Sequence, residues 1–434
     1  TILIKMYKKI NLKSGLTVIT APQKDTQTVT VLILVKTGSR YEDKDNSGIS
    51  HFLEHMMSKE TKTKKNSREV MEPLDAIGGI SNAFTGDEYT GYWAKVSAPN
   101  VNFAIDWVSD IFLNATIPAK EIEKERGTIK EEFNMYLDSP MRYICEIWKS
   151  TLYGDQPAGR DIIGTKKTIA SITRKQILDY KQSQYVASNT IVCVAGKINE
   201  EEVIEKIKKS FKDIPRGVSK IKEPVVDDQK EPKVLLYKKK TDQSQIALGF
   251  KGYNISHKDR IVLEVMADLL GGPMSSRMFT EVREKQGLAY DVRTYNDADT
   301  DIGSFVTFSG LDNKKIYQGI SSILKEYEKL TLRKVPEKEL QKAKNYLKGK
   351  TTLFLENSNA KAQFYGIQEV LKGKIMDVDA LFKEIDKVTK EDILRVAKDV
   401  FIFNKLNLAI IGPFESEDKF KKILLKYGTK NNKN

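Results

Sequence analysis

Apolar and polar residues are grouped along this chain in segments that predict alternating strands and helices. Residues 28–36 and 245–250 form short apolar runs of the length of buried strands, and residues 101–115 and 314–330 form longer segments that predict helices. Residues 79–85 lie close enough to the following strand candidate to pair with it in an antiparallel manner. The pattern predicts an α+β fold with mostly antiparallel sheets flanked by helices.

An internal repeat becomes visible when the chain is aligned with itself at an offset of 216 residues. Residues 171–196 then match residues 387–412, so that Thr173 meets Thr389 and both segments end in an apolar run followed by glycine. Threonine is favoured at a helix N-cap, and the apolar run is typical of a buried strand. Each half of the chain is therefore predicted to end in a helix and then a strand.

A second match, at an offset of 218, aligns residues 117–124 with residues 335–342. The polar stretch between the two halves contains proline and is typical of a linker. We therefore predict two homologous α/β sandwich domains that arose by duplication, with residues 1–218 and 234–434 joined by a linker at 219–233. A single larger α/β domain is the alternative, and the linker argues against it.

The bulk composition supports two domains and excludes several classes of protein. A chain of 434 residues exceeds the roughly 250 to 300 residues at which a single core stops growing. The net charge of +13 comes from lysines scattered among glutamates, without the basic and aromatic clusters of nucleic-acid-binding proteins. Cys145 and Cys193 are too few for a disulfide framework, which favours a reducing compartment. No apolar run predicts a membrane span or a secretory signal, so we expect a soluble protein that stays in the cell.

Two of the three histidines lie within five residues, in the sequence His51-Phe-Leu-Glu54-His55. On a helix, His51 and His55 are about 40° apart and Glu54 is about 60° to the other side of His51, so all three face the same way. Neutral imidazoles suit Zn²⁺, and a catalytic site needs a third protein ligand and an open position for water. A chance pattern on a surface helix and a closed structural zinc site are the competing interpretations.

The third ligand is predicted to come from the helix at 119–137, whose apolar residues form one stripe. At helical spacing, Glu125 and Glu132 lie beside this stripe, about 40° and about 60° from its centre at Ile129. Glu131 lies about 160° away, on the far side. The periodicity selects Glu132 or Glu125 over Glu131.

Five sequence segments carry a resemblance to a known family. They read SGISHFLEHMM, GGISNAFTGDEYTGYWAKV, EIEKERGTIKEEF, YGDQPAGRDIIGT and GGPMSSRMFTEVREKQGLAYDV. The HxxEH order is the mark of the inverzincins. Together the segments resemble the pitrilysin and insulysin family of metallopeptidases, and most closely its half-length branch of mitochondrial processing peptidases and bacterial relatives.

The resemblance implies a role for each residue of the metal motif. The family holds one zinc ion through two histidines and a glutamate that lies 76 residues beyond the second histidine, which is the number of residues between His55 and Glu132. A supporting glutamate seven residues earlier corresponds to Glu125, and Glu54 corresponds to the general base. The second half has no counterpart of the site, because the repeat aligns Glu132 with Lys350.

The resemblance also implies that Arg283 and Tyr290 stabilise the negative charge of the transition state. Without the resemblance, Arg283 would be interpreted as a helix-surface charge and Tyr290 as half-buried strand packing. Residues 79–85 look like an edge strand to which an extended peptide could add, with Asn82, Ala83 and Thr85 in contact with it. A purely structural strand is the alternative.

These predictions combine into a zinc-dependent endopeptidase that hydrolyses peptides or presequence-like unfolded segments in an enclosed chamber. Family members of this length pair to build the chamber, and because this chain carries both the zinc motif and the Arg/Tyr pair we expect a homodimer, with a heterodimer of related chains as the alternative. A non-catalytic subunit that retains the zinc site is the competing function. We expect a bacterial cytoplasmic location, with the mitochondrial matrix or a related organelle as the alternative.

Overall fold

The computed structural model describes residues 6–431 and arranges eleven strands of this part of the chain in two sheets. The strands are β1 (Lys8–Asn11), β2 (Thr17–Pro22), β3 (Thr28–Val35), β4 (Ile80–Thr85), β5 (Thr90–Ser97), β6 (Thr190–Gly196), β7 (Lys233–Lys238), β8 (Gln243–Lys251), β9 (Ala289–Ala298), β10 (Gly303–Asp312) and β11 (Asn407–Gly412).

Fifteen α-helices accompany these strands within the same residues. They are α1 (Ile49–Met56), α2 (Ser67–Asp75), α3 (Val101–Asn114), α4 (Ala119–Asp138), α5 (Pro140–Tyr153), α6 (Lys166–Ser171), α7 (Arg174–Gln184), α8 (Glu200–Ser210), α9 (Arg260–Gly271), α10 (Ile316–Leu332), α11 (Glu337–Phe354), α12 (Ser358–Lys372), α13 (Val378–Lys387), α14 (Lys390–Val400) and α15 (Asp418–Asn431). A π-helical turn spans Phe279–Lys285. Between residues 6 and 431, every helix is too short or too polar to span a lipid bilayer.

The predicted elements are present, and their ends agree with the structure to within two residues. The predicted strands at 28–36, 79–85 and 245–250 are β3, β4 and β8, and the predicted helices at 101–115 and 314–330 are α3 and α10. These segments were predictable because their apolar runs are long enough to indicate the element without tertiary information.

The two sheets have related topologies. The first sheet has the order β1-β2-β6-β3-β5-β4, and the second has the order β7-β11-β8-β10-β9. Each sheet contains one parallel pair, β2 with β6 and β7 with β11, and its other neighbouring strands are antiparallel. The prediction of an α+β fold with two related, mostly antiparallel sheets flanked by helices is confirmed.

The repeat at an offset of 216 residues is visible in two equivalent helix starts. Thr173 caps α7 and accepts a hydrogen bond from the backbone N–H of Gln176, whose side chain in turn accepts from the N–H of Thr173. Thr389 and Asp392 form the same capping box at the start of α14. Both helices lead into a central buried strand of their sheet, β6 or β11, as predicted.

The chain forms two compact units that are not continuous in sequence. Of the described residues, unit 1 contains those up to Asn134, Arg160–Glu223 and Thr352–Asp377. Unit 2 contains Met135–Gly159, Pro224–Thr351 and those from Val378 onward. The predicted boundaries at 218 and 234 stay a prediction of where the duplication divides the sequence.

The units are interleaved because each sheet is covered by a helix from the other half of the sequence. In unit 1, Ala362 and Tyr365 of α12 pack in one apolar cluster with Leu32 and Leu34 of β3. In unit 2, the residues of α5 that include Trp148 belong to a cluster with strands β8, β10 and β11. The halves of the repeat have therefore exchanged equivalent helices.

Residues 219–233 contain no helix and only the first residue of β7, which agrees with a linker. Lys222 binds Glu88 of unit 1 at 2.6 Å, and Asp227 binds Lys251 of unit 2 at 2.6 Å. The linker is therefore attached along its length to whichever unit it runs beside.

Candidate metal centre

Helix α1 begins where two glycine-containing segments of unit 1 approach closely. Gly48 has φ of +94°, and a Cβ there would lie 2.5 Å from the carbonyl oxygen of Ile163. Gly164 has φ of +85°, and its Cβ would lie 2.3 Å from the carbonyl oxygen of Ser47. Glycine is needed at both positions because other residues would bring both backbone strain and a clash. The contact defines where the metal-binding helix starts.

A buried carboxylate holds the same end of α1. The two oxygens of Glu42 accept hydrogen bonds from the backbone N–H groups of Gly48 at 2.7 Å and Ser50 at 2.8 Å. The first turn of a helix leaves such groups without helical partners, and its dipole favours a negative charge there. Burial raises the pKa of Glu42 to about 8, although hydrogen bonds from Ser50 and the backbone oppose the shift. Sequence analysis missed Glu42, for which an acidic residue shortly before a helix start was the available signal.

The opposite face of α1 anchors it in the core of unit 1. Phe52, Leu53 and Met56 are at most 1% exposed, which confirms that the residues between the histidines serve packing. His51 and His55 are partly exposed on the other face. The helix therefore presents its histidines from a rigid support.

Helix α4 brings two glutamates to these histidines. Its apolar stripe is buried at Ile129, Glu125 and Glu132 lie beside this stripe, and Glu131 is exposed to solvent. The prediction that Glu131 is not a ligand is therefore confirmed by its position. The choice left open between Glu125 and Glu132 is answered by their different contacts.

Glu132 lies between the two imidazoles. Its Oε2 atom is 3.6 Å from Nε2 of His51 and 3.3 Å from Nε2 of His55. One ligand atom from each of the three residues falls within 4.8 Å of both others, and no other such group occurs in residues 6–431. The structure therefore brings together the three predicted metal ligands.

The donor set and its spacing fit a zinc ion. Two ligands at about 2.0 to 2.1 Å from a tetrahedral zinc are about 3.3 to 3.4 Å apart, close to the distances between Glu132 and the histidines. Two imidazoles and one carboxylate leave a fourth position for water, as in catalytic zinc sites. A closed four-ligand structural site would need a further donor, which the described residues do not supply at this place.

Glu125 supports the site from behind His55. Its Oε2 atom lies 3.1 Å from Nδ1 of His55, and its Oε1 atom lies 2.7 Å from the Lys59 ammonium group. A carboxylate on the outer ring nitrogen fixes the tautomer and orientation of a metal-binding histidine. Lys59 was missed by sequence analysis, although its position one helical turn after His55 was an available signal.

Glu54 lies next to the ligands and is held by one hydroxyl group. The Thr85 hydroxyl donates a hydrogen bond of 2.5 Å to Oε2 of Glu54. Beside this pair is a cavity of about 270 Å³, lined by Glu54 and His55 on one side and by Asn82 and Ala83 on another. The carboxylate can therefore act on a molecule that enters the cavity.

Burial and neighbouring charges shift the pKa values of the site. Burial, with the His55 charge, lowers the pKa of His51 to about 4. Burial also acts to lower the pKa of His55, but hydrogen bonds to Glu125 and Glu132 outweigh it and raise that pKa to about 9. Burial raises the pKa of Glu54, against the hydrogen bond from Thr85. The hydrogen bond with His55 lowers the pKa of Glu132.

The three residues predicted to contact substrate lie on β4, the edge strand of the first sheet. Asn82 is exposed, and its side-chain oxygen accepts from the backbone N–H of Ala83 at 2.9 Å. Side chains alternate along a strand, so Ala83 and Thr85 share one face and Asn82 is on the other. Thr85 is therefore distinguished from its neighbours by its contact with Glu54.

Arg283 and Tyr290 belong to unit 2, where the structure brings them together. The Arg283 guanidinium lies 4.5 Å from the ring centroid of Phe279 and 5.0 Å from that of Tyr290. Tyr290 is 72% exposed, which excludes its interpretation as half-buried strand packing. Stacking between two rings orients the guanidinium.

Unit 2 has replaced the metal-binding position with an ion pair. Lys350, which the repeat aligns with Glu132, binds Asp268 of α9 at 2.6 Å. Asp268 is 3% exposed, so the ammonium group supplies the charge that its buried carboxylate needs. The prediction that the second half lacks the metal site is confirmed for the described residues.

Comparisons with known proteins agree with this site. Residues 17–166 match the family model described as insulinase (peptidase family M16), and residues 171–347 match the model described as peptidase M16 inactive domain. An uncharacterised zinc protease of Bacillus subtilis, YmxG, is 33% identical over 94% of this chain and 98% of its own length. An uncharacterised zinc protease of Rickettsia felis is 32% identical over 93% of this chain and 96% of its own length.

Solved structures show the same fold over almost the whole chain. A protease from Helicobacter pylori is 26% identical and superposes with a TM-score of 0.88, covering 94% of this chain and 99% of that protein. A peptidase M16 inactive domain from Pseudomonas fluorescens, at 16% identity and a TM-score of 0.86 over 94% and 99% of the two chains, shares the fold. The resemblance found in the sequence motifs is confirmed: the chain belongs to peptidase family M16, the insulinase family.

Proposed function

We propose that this chain is a zinc-dependent endopeptidase that hydrolyses peptides or presequence-like unfolded segments inside an enclosed chamber. The observation that carries the proposal is the meeting of His51, His55 and Glu132 beside the carboxylate of Glu54. Relatives that carry the name zinc protease support the same activity.

The ligand set defines where zinc would act and how many ions one chain holds. A zinc ion held by His51, His55 and Glu132 would supply Lewis acidity, polarising a peptide carbonyl and lowering the pKa of a water molecule toward about 7. Because one such cluster is found in residues 6–431, we propose one ion per chain.

Glu54 is proposed to move the proton during hydrolysis. Its Oε2 atom accepts from Thr85, which leaves Oε1 to accept a proton from the attacking water. The water oxygen forms a bond to the carbonyl carbon, the C–N bond of the peptide breaks, and Glu54 delivers the proton to the leaving amine. The carboxylate then returns to its starting state.

Arg283 and Tyr290 are proposed to stabilise the negative charge that develops on the carbonyl oxygen. A guanidinium held between two rings and an exposed tyrosine are donors whose orientation is set before the substrate arrives. Removal of one such donor typically costs about 3 kcal/mol of transition-state stabilisation.

Strand β4 is proposed to hold the substrate in an extended conformation. As the edge strand of its sheet, it can offer backbone hydrogen bonds to a peptide, which explains binding without a strict sequence preference. Asn82 and Ala83 line the cavity beside Glu54, so a peptide added at this edge would pass the general base.

We further propose a homodimer that works in the bacterial cytoplasm. Both candidate sets of catalytic residues are present in this chain, so that two identical copies would have complete sites. A heterodimer with a related chain and an organellar location are the alternatives. Light scattering coupled to size-exclusion chromatography measures the oligomeric state directly.

The activity is tested with a quenched fluorescent peptide library and the purified, zinc-loaded chain. E54Q is expected to lose at least about a thousandfold in kcat while retaining zinc, because the base is removed but no ligand is. E132Q is expected to lose zinc as well as activity. E131Q is the matched control on the same helix, because Glu131 is exposed, and should behave as wild type.

The outcomes separate the enzyme from a non-catalytic subunit. Equal cleavage by wild type and E54Q would reject the assigned base and point to a contaminating peptidase. Full zinc occupancy without cleavage of any library peptide would favour a subunit that retains the metal site. Unfolding of unit 1 on removal of zinc, without any cleavage activity before removal, would indicate a structural ion.

A further inference from the structure

The hydrogen bond between Thr85 and Glu54 depends on a hairpin that is rigidly fixed in unit 1. Strand β4 ends at Thr85, and the following turn contacts the segment Gly38–Arg40. A Cβ on Gly38 would lie 2.2 Å from the carbonyl oxygen of Gly86, so the two backbones are in close contact. The backbone N–H of Arg40 donates to the carbonyl oxygen of Asp87 at 3.0 Å.

An ion pair without solvent access reinforces the same turn. Arg40 binds Glu88 at 3.1 Å, and both side chains are 0% exposed. Thr90, which pairs with Thr85 across the hairpin, donates its hydroxyl to the carbonyl oxygen of Thr37 at 2.9 Å. The position of the Thr85 hydroxyl is therefore determined by the hairpin rather than by Glu54.

Glu54, in contrast, has a single hydrogen-bond partner among residues 6–431, the hydroxyl of Thr85. It is the second-last residue but one of a short helix, and a free glutamate side chain has several rotamers of similar energy. Without Thr85, nothing in the described part of unit 1 would select the rotamer that faces the ligands.

We propose that Thr85 is a positioning residue that holds the Glu54 carboxylate in its working orientation, rather than a residue that contacts substrate. The hydroxyl binds Oε2 and so presents Oε1 to the reacting water. Because Thr85 lies at the end of the strand proposed to bind peptide, the same element aligns both substrate and base. The inference rests on the proposed role of Glu54.

The test compares T85V, which removes the hydroxyl at nearly constant shape, with T85S, which keeps it. For T85V we expect kcat to fall about ten- to a hundredfold with KM within about twofold, and T85S should recover kcat to within about threefold of wild type. T20V is the matched control, because Thr20 donates a similar 2.6 Å hydrogen bond to Glu200 elsewhere in unit 1. It should retain wild-type kcat.

Two further measurements do not depend on the activity of the zinc-loaded enzyme. Crystal structures of zinc-free wild type and T85V are expected to show one Glu54 conformer in the first and several in the second. Zinc affinity should agree within about twofold, because Glu54 is not a ligand. In the E54Q background, T85V should cause no further loss, since the two residues act as one unit.

Each alternative result overturns the inference in a recognisable way. A rise in KM with unchanged kcat would make Thr85 a substrate contact. An unchanged Glu54 conformer in T85V, or a kcat equal to that of T20V, would show that the hydroxyl does not position the base. If E54Q itself were fully active, the proposed function would fail, while the crystal structures would still report whether Thr85 orients Glu54.

Discussion

Replacement of Glu125 by glutamine should weaken zinc binding without removing a ligand. Glu125 accepts from Nδ1 of His55 at 3.1 Å and binds Lys59 at 2.7 Å, with its side chain only 8% exposed. The amide in E125Q can still accept one hydrogen bond, but it has no charge to stabilise His55 or to pair with Lys59. The imidazole is then a weaker and less well oriented ligand.

The size of the effect follows from the single contact that is lost. A carboxylate behind a metal-binding histidine is typically worth about 10- to 100-fold in metal affinity, which corresponds to about 1.4 to 2.7 kcal/mol. At a zinc concentration of about one hundred times the wild-type Kd, bound zinc stabilises the folded wild type by about 2.7 kcal/mol. With thirtyfold weaker binding, the same concentration stabilises the variant by only about 0.9 kcal/mol.

Chelator competition measures the zinc Kd, and denaturant unfolding with and without zinc measures the linked stabilisation. E123Q is the matched control, because Glu123 lies on the same helix but is 73% exposed and pairs with Arg126. We expect E123Q to match wild type in both measurements. An E125Q variant with a zinc Kd within twofold of wild type would refute the supporting role of the carboxylate.

Three further perturbations test other parts of the structure. G48A should lower the free energy of unfolding by more than about 2 kcal/mol, because its Cβ would meet a carbonyl oxygen at 2.5 Å, whereas G127A in the open middle of α4 should be stabilising by about 0.5 to 1 kcal/mol in denaturant titrations. K350M should destabilise unit 2 by about 1 to 2 kcal/mol by calorimetry, since the buried carboxylate of Asp268 loses its partner while Lys350 itself is 45% exposed. Burial lowers the pKa of Lys181 from 10.5 to about 8, so the unfolded chain binds more protons between these values and stability should rise with pH there, by up to about 3 kcal/mol; in K181M the rise should disappear.

The metal ligands were predictable because each lies on a helix whose face is set by local periodicity. His51, Glu54 and His55 occupy one side of α1, and Glu132 lies beside the buried stripe of α4. Those relations depend only on the 3.6-residue turn. The choice between Glu125 and Glu132 was different, because both have nearly the same angle and only the family resemblance separated them before the structure did.

The helix exchange was not predictable from the repeat. A repeat shows that two segments have the same local pattern, and an amphipathic helix can cover either of two similar sheets. Which sheet receives α5 and which receives α12 depends on the path of the chain after α4 and α11. The repeat therefore predicted the elements of each unit but not all of their assignments.

The sequence by itself determined the strands and helices, the duplication, and the set of residues able to bind zinc, because these depend on patterns within single segments. Only the tertiary structure decided which groups support that set: Glu42 at the start of α1, Lys59 on Glu125, and Thr85 on Glu54. Each of these contacts joins residues from different elements through one polar group, and a hydrogen bond forms only within a few tenths of an ångström of its preferred length. Such a distance is a property of packed elements, and no spacing along the chain specifies it.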